Sequence, residues 1–258
     1  MHLLWIILLI ISLIFIIAIA FLFFDESLNV PVSEIHLTGT NGKTLFIITG
    51  LTGTPNPYRE IAARLNADGY SVYVPLLKNH GGKLSALKST SIPEIKAQLK
   101  SQIKNASGDI IIMGECSGAL LALDLAGELH MPAALMNIPL DAPLIFAYLP
   151  LPYFYRFDLG LLKNNSMLPE VLRYRKYPIH LLREQLKYRK TLNLNLAENI
   201  LIVQSKGDIR APQSGSLRLH NNAKNSELFI MNNSGHLPYL DVEKEIFYAK
   251  LKEFLEKQ

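Results

Sequence analysis

The chain has 258 residues, 49% of them hydrophobic, which is enough for one α/β domain with a sizeable core and too short for two. Its formal charge is +4, from 26 Lys and Arg against 22 Asp and Glu, and outside Arg173 to Lys176 and Arg183 to Lys190 the basic residues are scattered, so a nucleic-acid partner is excluded. A single cysteine excludes an internal disulfide and a cysteine-based metal cluster.

From the N-terminus, Leu3 to Phe24 is nearly continuous Leu, Ile, Phe and Ala with one serine and no charge. At about 1.5 Å per residue a helix of that length spans about 33 Å, enough for a bilayer core. Residues 1–24 are therefore expected to form a single-pass transmembrane anchor that engages the membrane through residues 3–24. A cleaved signal peptide is the competing reading, since Ala18-Ile19-Ala20 has the small-x-small form. Against it, the apolar run exceeds the roughly 7 to 15 residues of a signal core, and no Lys or Arg precedes it. Asp25 and Glu26 follow the span and Lys43 is the first basic residue beyond it, a weak preference for the N-terminus inside and the catalytic domain on the non-cytoplasmic side.

Residues 25–34 form a short polar tether with Pro31, and residues 35–258 the globular domain. Glu34 to Leu37 and Thr44 to Thr49 read as strands joined around Asn41-Gly42, a hairpin signal because both positions accept positive φ. Asn56-Pro57 opens a helix that runs to Ala67 and ends at Gly69, and Ser71 to Pro75 is the next strand. Ser91 and Glu94 form a capping box ahead of a helix reaching about Ala106. Asp109 to Glu115 is an apolar strand that turns sharply into a helix, and Ala133 to Asn137 is another strand.

From 138 to 197 the pattern changes to clustered prolines, many Tyr, Leu and Phe, and only patchy helical periodicity, which suits either an inserted cap or an ordinary helical layer. Asn199 to Gln204 resumes the sheet, Pro212 opens a helix, Glu227 to Met231 is the last strand, and Val242 to Leu255 is an amphipathic closing helix. Strand and helix alternation of this kind calls for an α/β fold, with a mostly parallel sheet flanked by helices on both faces.

The stretch Gly114-Glu115-Cys116-Ser117-Gly118 has the glycine–x–nucleophile–x–glycine spacing, in which the glycines let strand and helix approach while the central residue is held in a strained, exposed turn. Free cysteine is usually a small buried hydrophobe, but a packing role gives no reason for its place between two glycines at a strand-to-helix elbow. This stretch, with Thr49-Gly50-Leu51-Thr52-Gly53-Thr54, Gln204 through Pro212, and Ser234-Gly235-His236, resembles the α/β-hydrolases of the carboxylesterase and monoacylglycerol-lipase type, the four segments falling in that family's order. The departure is Cys116, where most members carry serine.

The resemblance implies an α/β-hydrolase fold with 138–197 as a cap, and a triad of Cys116 as nucleophile, Asp208 as orienting acid and His236 as base. It further implies an oxyanion hole from the backbone N–H groups of Leu51 and Ser117. Asp208 has the alternative of capping the helix at Pro212, and His236 that of an ordinary loop histidine. His80-Gly81 matches a family pattern in a loop used structurally. Thr49 stands where the family usually has histidine. No cofactor and no metal motif is present.

Sulfur in place of oxygen bears on substrate. A tetrahedral intermediate formed from an alkyl ester must expel either a thiolate, whose ordinary pKa is near 8.5, or a far more basic alkoxide, so the thiolate leaves and nothing has happened. Turnover therefore favours thioesters, lactone or enol esters and aryl esters, unless His236 protonates the leaving oxygen very effectively. The expected activity is cleavage of an apolar acyl ester or thioester through an acyl-Cys116 intermediate. Acyl transfer through the same intermediate is one alternative. A non-catalytic acyl- or lipid-binding protein is another, against which Asp208 and His236 would have little purpose.

Overall fold

In the computed structural model of the chain, residues 2–23, 25–28, 31–143, 148, 150–155, 174, 176–196 and 198–258 are described. The strands are β1 (Ile35–Leu37), β2 (Lys43–Ile48), β3 (Ser71–Val74), β4 (Asp109–Glu115), β5 (Ala133–Met136), β6 (Tyr153–Tyr155), β7 (Lys176–Pro178), β8 (Glu198–Ser205) and β9 (Lys224–Met231). The helices are α1 (His2–Phe23), α2 (Arg59–Ala67), α3 (Ile92–Asn105), α4 (Ser117–Leu129), α5 (Ile179–Arg189), α6 (Gln213–Asn222) and α7 (Lys244–Glu256). Seven strands make one sheet in the order β1-β3-β2-β4-β5-β8-β9, parallel throughout except where β1 runs antiparallel to β3.

Strands covered on both faces read as unbroken apolar runs, and the side-chain alternation splits each run between two cores. Phe46 and Ile48 of β2 and Ile112 of β4 join side chains of α3, α4, α5 and α6 on one face. Leu45, Ile47, Ile111 and Met113 join those of α2 and α7 on the other. Each such buried side chain contributes about 1.5–3 kcal/mol relative to an exposed one. The capping box at α3 forms as expected: Glu94 N–H donates to Ser91 Oγ, and Ser91 N–H to Glu94 Oε2. Gly69 follows α2 with φ +93°, a conformation that stops the helix at no steric cost.

The expected hairpin across Asn41-Gly42 does not form. β2 takes parallel partners on both edges, β3 and β4, and so offers no edge to β1, which pairs with the far side of β3. The turn instead carries the chain across the start of β3: Thr40 and Asn41 N–H both donate to the Gly69 carbonyl, at 2.7 and 3.0 Å. Gly39 packs so closely there that a Cβ would lie 2.2 Å from that same oxygen.

Of the expected cap, residues 144–147, 149, 156–173, 175 and 197 lie outside the described residues. The rest contains two strands that composition did not reveal, β6 and β7, paired antiparallel and separate from the main sheet. It also contains α5, whose Leu181 and Leu182 reach the core beside α3 and α4.

α1 is a helix of 22 residues with no acidic residue in its first turn and no basic residue in its last, and its Trp5, Leu9 and Phe15 are exposed. Among the described residues no helix is long and apolar enough to cross a membrane; the side chains of α1 are described over 5–17, 19 and 20. The start of the tether is docked on the domain. Asp25 accepts hydrogen bonds from Ser85 N–H at 2.9 Å and Ser85 Oγ at 2.7 Å, and Glu26 accepts from Lys176 N–H of β7 at 3.2 Å.

Candidate active site

β4 ends at Glu115 and α4 begins at Ser117, so Cys116 alone makes the turn between them, with φ +52° and ψ −123°. A non-glycine residue in that conformation carries about 1–3 kcal/mol of strain. The hydrogen bonds from Cys116 N–H to the Met136 carbonyl and from Ala119 N–H to the Cys116 carbonyl, both 2.9 Å, hold it in place. The flanking glycines are demanded by contact rather than by φ. A Cβ on Gly114 would meet the Gly118 carbonyl at 2.5 Å, and one on Gly118 would meet the Ile48 carbonyl at 2.3 Å. The elbow thus wedges α4 against the end of β2, and Cys116 is left partly exposed at the carboxyl end of the sheet.

His236 lies in the loop after β9, where Gly235 N–H donates to Asp241 Oδ2 at 2.6 Å. Its Nδ1 is 2.7 Å from Asp208 Oδ2, with both side chains almost wholly buried. Asp208 follows β8, and its other oxygen accepts Arg210 N–H at 2.8 Å. Cys116 Sγ and His236 Nε2 lie within 4.8 Å of each other. Burial alone would lower the His236 pKa, but the charge of Asp208, then that of Cys116, outweigh it and push the imidazole up to about 10. The structure therefore brings Cys116, His236 and Asp208, the three residues singled out in the sequence, to one place. An imidazole so placed can pass a proton between sulfur and a bound acyl group while Asp208 fixes its orientation.

Leu51 and Ser117 line the same cavity as Cys116 and His236, together with Tyr177 of β7 and Arg210. The Ser117 hydroxyl donates to Gln185 Oε1 of α5 at 2.6 Å and is buried. The loop carrying Leu51 is braced by Gly53 N–H donating to the Gly50 carbonyl at 2.7 Å. His80 also holds this loop. It is buried, with Nε2 2.5 Å from the Leu51 carbonyl and Nδ1 2.9 Å from that of Lys78.

Three contributors were not singled out in the sequence. Asn137, just past β5 with φ +48°, donates from Nδ2 to the His236 carbonyl at 2.8 Å and accepts Ser205 N–H at 2.7 Å, tying the ends of β5 and β8 to the histidine loop. An Asn after a strand, one of the few residues that tolerates positive φ, was the available signal. Tyr58 donates to Glu115 Oε2 at 2.8 Å, and Glu115 Oε1 is then 3.7 Å from His236 Nε2. Glu115 also reaches within 4.8 Å of the sulfur, so a carboxyl group sits beside Cys116. Gln185 is the third, and its contact crosses 68 residues, which no local pattern reveals.

No family model matches the chain. In sequence it is similar to the thermostable monoacylglycerol lipase of Bacillus sp. strain H-257, 25% identical over 229 residues that cover 83% of this chain and 90% of the lipase. In structure it is similar to a metagenome-derived lipolytic enzyme, with a TM-score of 0.77 at 19% identity, covering 88% of this chain and 98% of that one. The monoacylglycerol lipase of Paleococcus ferrophilus superposes with a TM-score of 0.76 at 17% identity, over 89% and 100% of the two chains. The fold is that of the α/β-hydrolases. A soluble variant of the monoglyceride lipase of Saccharomyces cerevisiae, in complex with a substrate analog, shares it with a TM-score of 0.72 at 14% identity, over 90% and 94% of the two chains. The chain thus has the α/β-hydrolase fold, with a cysteine at its elbow.

Proposed function

We propose that the protein hydrolyses acyl esters or thioesters through an acyl-Cys116 intermediate. The observation that carries the reading is the convergence of Asp208, His236 and Cys116 at a strained elbow. In the first half-reaction Cys116 thiolate attacks the acyl carbon, and the oxyanion is met by the N–H groups of Leu51 and Ser117. The bond to the leaving group breaks as the His236 imidazolium gives that group a proton. In the second, His236 takes a proton from water, the hydroxide adds to the thioester carbon, the carbon–sulfur bond breaks, and the acid leaves. The curated relative is a monoacylglycerol lipase, so acyl glycerols are the natural ester to set against acyl thioesters. The leaving-group argument favours the thioester or an aryl ester.

Residues 3–24 are taken in this proposal as a membrane anchor with the catalytic domain on the non-cytoplasmic side. The exposed apolar side chains of α1 support the anchor, as does the short path from its end at Phe23 to Glu26, which bonds Lys176 next to Tyr177 of the cavity wall. An acyl chain resident in the bilayer would have little distance to travel.

The test is to incubate the full chain in detergent with a palmitoyl thioester, a p-nitrophenyl ester and an ethyl ester, quench, and locate the acyl group by mass spectrometry. Acyl-Cys116 should accumulate with the activated substrates, which should turn over orders of magnitude faster than the ethyl ester. An acyl group found elsewhere, or turnover unaffected by Cys116→Ala, overturns the reading. For the anchor, the protein should stay with membranes through alkaline carbonate and keep its N-terminal residues; mature protein beginning at Phe21 would identify a signal peptide.

A further inference from the structure

The sequence contains no metal motif, yet the fold assembles a mixed ligand set that no linear spacing displays. Glu115, Cys116 and His236 each offer one ligand atom, and all three atoms lie within 4.8 Å of one another. The separation of His236 Nε2 and Glu115 Oε1, 3.7 Å, is close to the roughly 3.3 Å expected between two ligands of a tetrahedral zinc ion with bonds of about 2.0–2.1 Å. Sulfur, imidazole nitrogen and carboxylate oxygen are the donors zinc prefers, and three of them with a fourth position open to a cavity is its usual arrangement in accessible sites. Here the cavity supplies the opening.

The groups behind the ligands are the second reason. Zinc-binding histidines almost always give their other ring nitrogen to a carboxylate, and zinc-binding carboxylates are hydrogen-bonded in turn. His236 Nδ1 is 2.7 Å from Asp208, and Glu115 Oε2 accepts from Tyr58 Oη at 2.8 Å. Both remaining donor atoms, Nε2 and Oε1, are therefore held 3.7 Å apart before any ion arrives. Tyr58 is itself fixed, fully buried and stacked on Tyr239 with ring centroids 4.6 Å apart. Asp208 and Glu115 flank the imidazole at its two nitrogens with the sulfur beside them, a surround of electron-pair donors that suits a cation.

We propose that Glu115, Cys116 and His236 form a reversible zinc site whose occupation inhibits the enzyme. The ion takes a sulfur lone pair and the Nε2 lone pair together, removing nucleophile and base at once, and any protons on sulfur and imidazole are released to solvent. The residue that makes this more than a cysteine–histidine pair is Glu115.

The test uses the metal-free full chain in detergent, titrated with Zn²⁺ by calorimetry and with Co²⁺ by absorption, without substrate. One equivalent should bind, and Co²⁺ should show the thiolate-to-metal charge-transfer band and the intense visible bands of a tetrahedral site. Cys116→Ser should abolish the charge-transfer band. Glu115→Gln, an isosteric change that still accepts from Tyr58, should weaken zinc binding at least about tenfold, and Tyr58→Phe, acting only through Glu115, by about tenfold. Zinc should stop turnover and chelator should restore it. No one-to-one binding, no charge-transfer band, Glu115→Gln binding as tightly as the parent, or turnover raised by zinc would each overturn the proposal. Because binding is read without substrate and acyl-Cys116 is sought in chelator, loss of either reading leaves the other standing.

Discussion

Two carboxylates reach His236 from opposite sides, and they are held differently. Asp208 has no exposed side-chain surface, lies 2.7 Å from Nδ1, and has its second oxygen fixed by Arg210 N–H two residues along its own loop. Glu115 is slightly exposed, lies 3.7 Å from Nε2, and is fixed by a hydroxyl from Tyr58, 57 residues away. One carboxylate is held against Nδ1, and the other lies beside Nε2 and the sulfur. The group is the same in both places; position alone distinguishes them, and in the proposed mechanism it makes Asp208 an orienting group and Glu115 a competitor for the base.

The comparison breaks first at the sulfur. Cys116→Ala should abolish acyl-enzyme formation by mass spectrometry and reduce kcat on a thioester by about 10³-fold or more, since the rest of a triad retains little once the nucleophile is gone. Next come the carboxylates themselves. Asp208→Asn loses the group that orients the base, and kcat should fall by about 10²–10⁴-fold, within the range of a general base. Glu115→Gln in chelator should change kcat by no more than about tenfold, because it touches no proton in flight, and native-state alkylation of Cys116 by iodoacetamide should become faster as a negative charge leaves the neighbourhood of the sulfur. Equal losses from the two substitutions would mean that Glu115 takes part in the chemistry. Smaller again is Tyr58→Phe. It leaves a buried carboxylate oxygen without its donor, at a cost of about 1–3 kcal/mol, measured as a lower urea midpoint with an unchanged slope.

The difference between the two carboxylates also marks what was legible. Asp208 and His236 follow strand ends in loops of recognisable composition, and Cys116 sits between glycines whose necessity is local, so all three could be found by reading along the chain. The strands β4, β5 and β8 were legible for a related reason: burial on both faces writes them as unbroken apolar runs. Glu115 stood in plain view inside the elbow, but its direction depends on Tyr58, and no periodicity links the two. The Asn41-Gly42 turn failed for the same cause. Its dipeptide was read correctly as a turn, while the partner of β1 was decided by β2 having both edges already occupied.

The smallest expected effect is at Ser117. Its hydroxyl is next to the nucleophile, and Sγ is 3.9 Å from it, so a reading by proximity alone would give it a catalytic part. The geometry gives it another: it spends its proton on Gln185 of α5, joining the elbow to the segment over the site. Ser117→Ala keeps the backbone N–H that meets the oxyanion, so kcat should stay within about threefold of the parent, far less than the 10²–10³-fold expected on losing an oxyanion donor. Stability should fall by about 1–3 kcal/mol, because the buried Gln185 amide loses its donor. Replacing both partners separates packing from polarity: in Ser117→Ala with Gln185→Leu no unpaired group is left, and thermal unfolding should return most of the way to the parent. A large loss of kcat in the single variant that the double variant does not repair would move Ser117 from the structural side of the elbow to the chemical one.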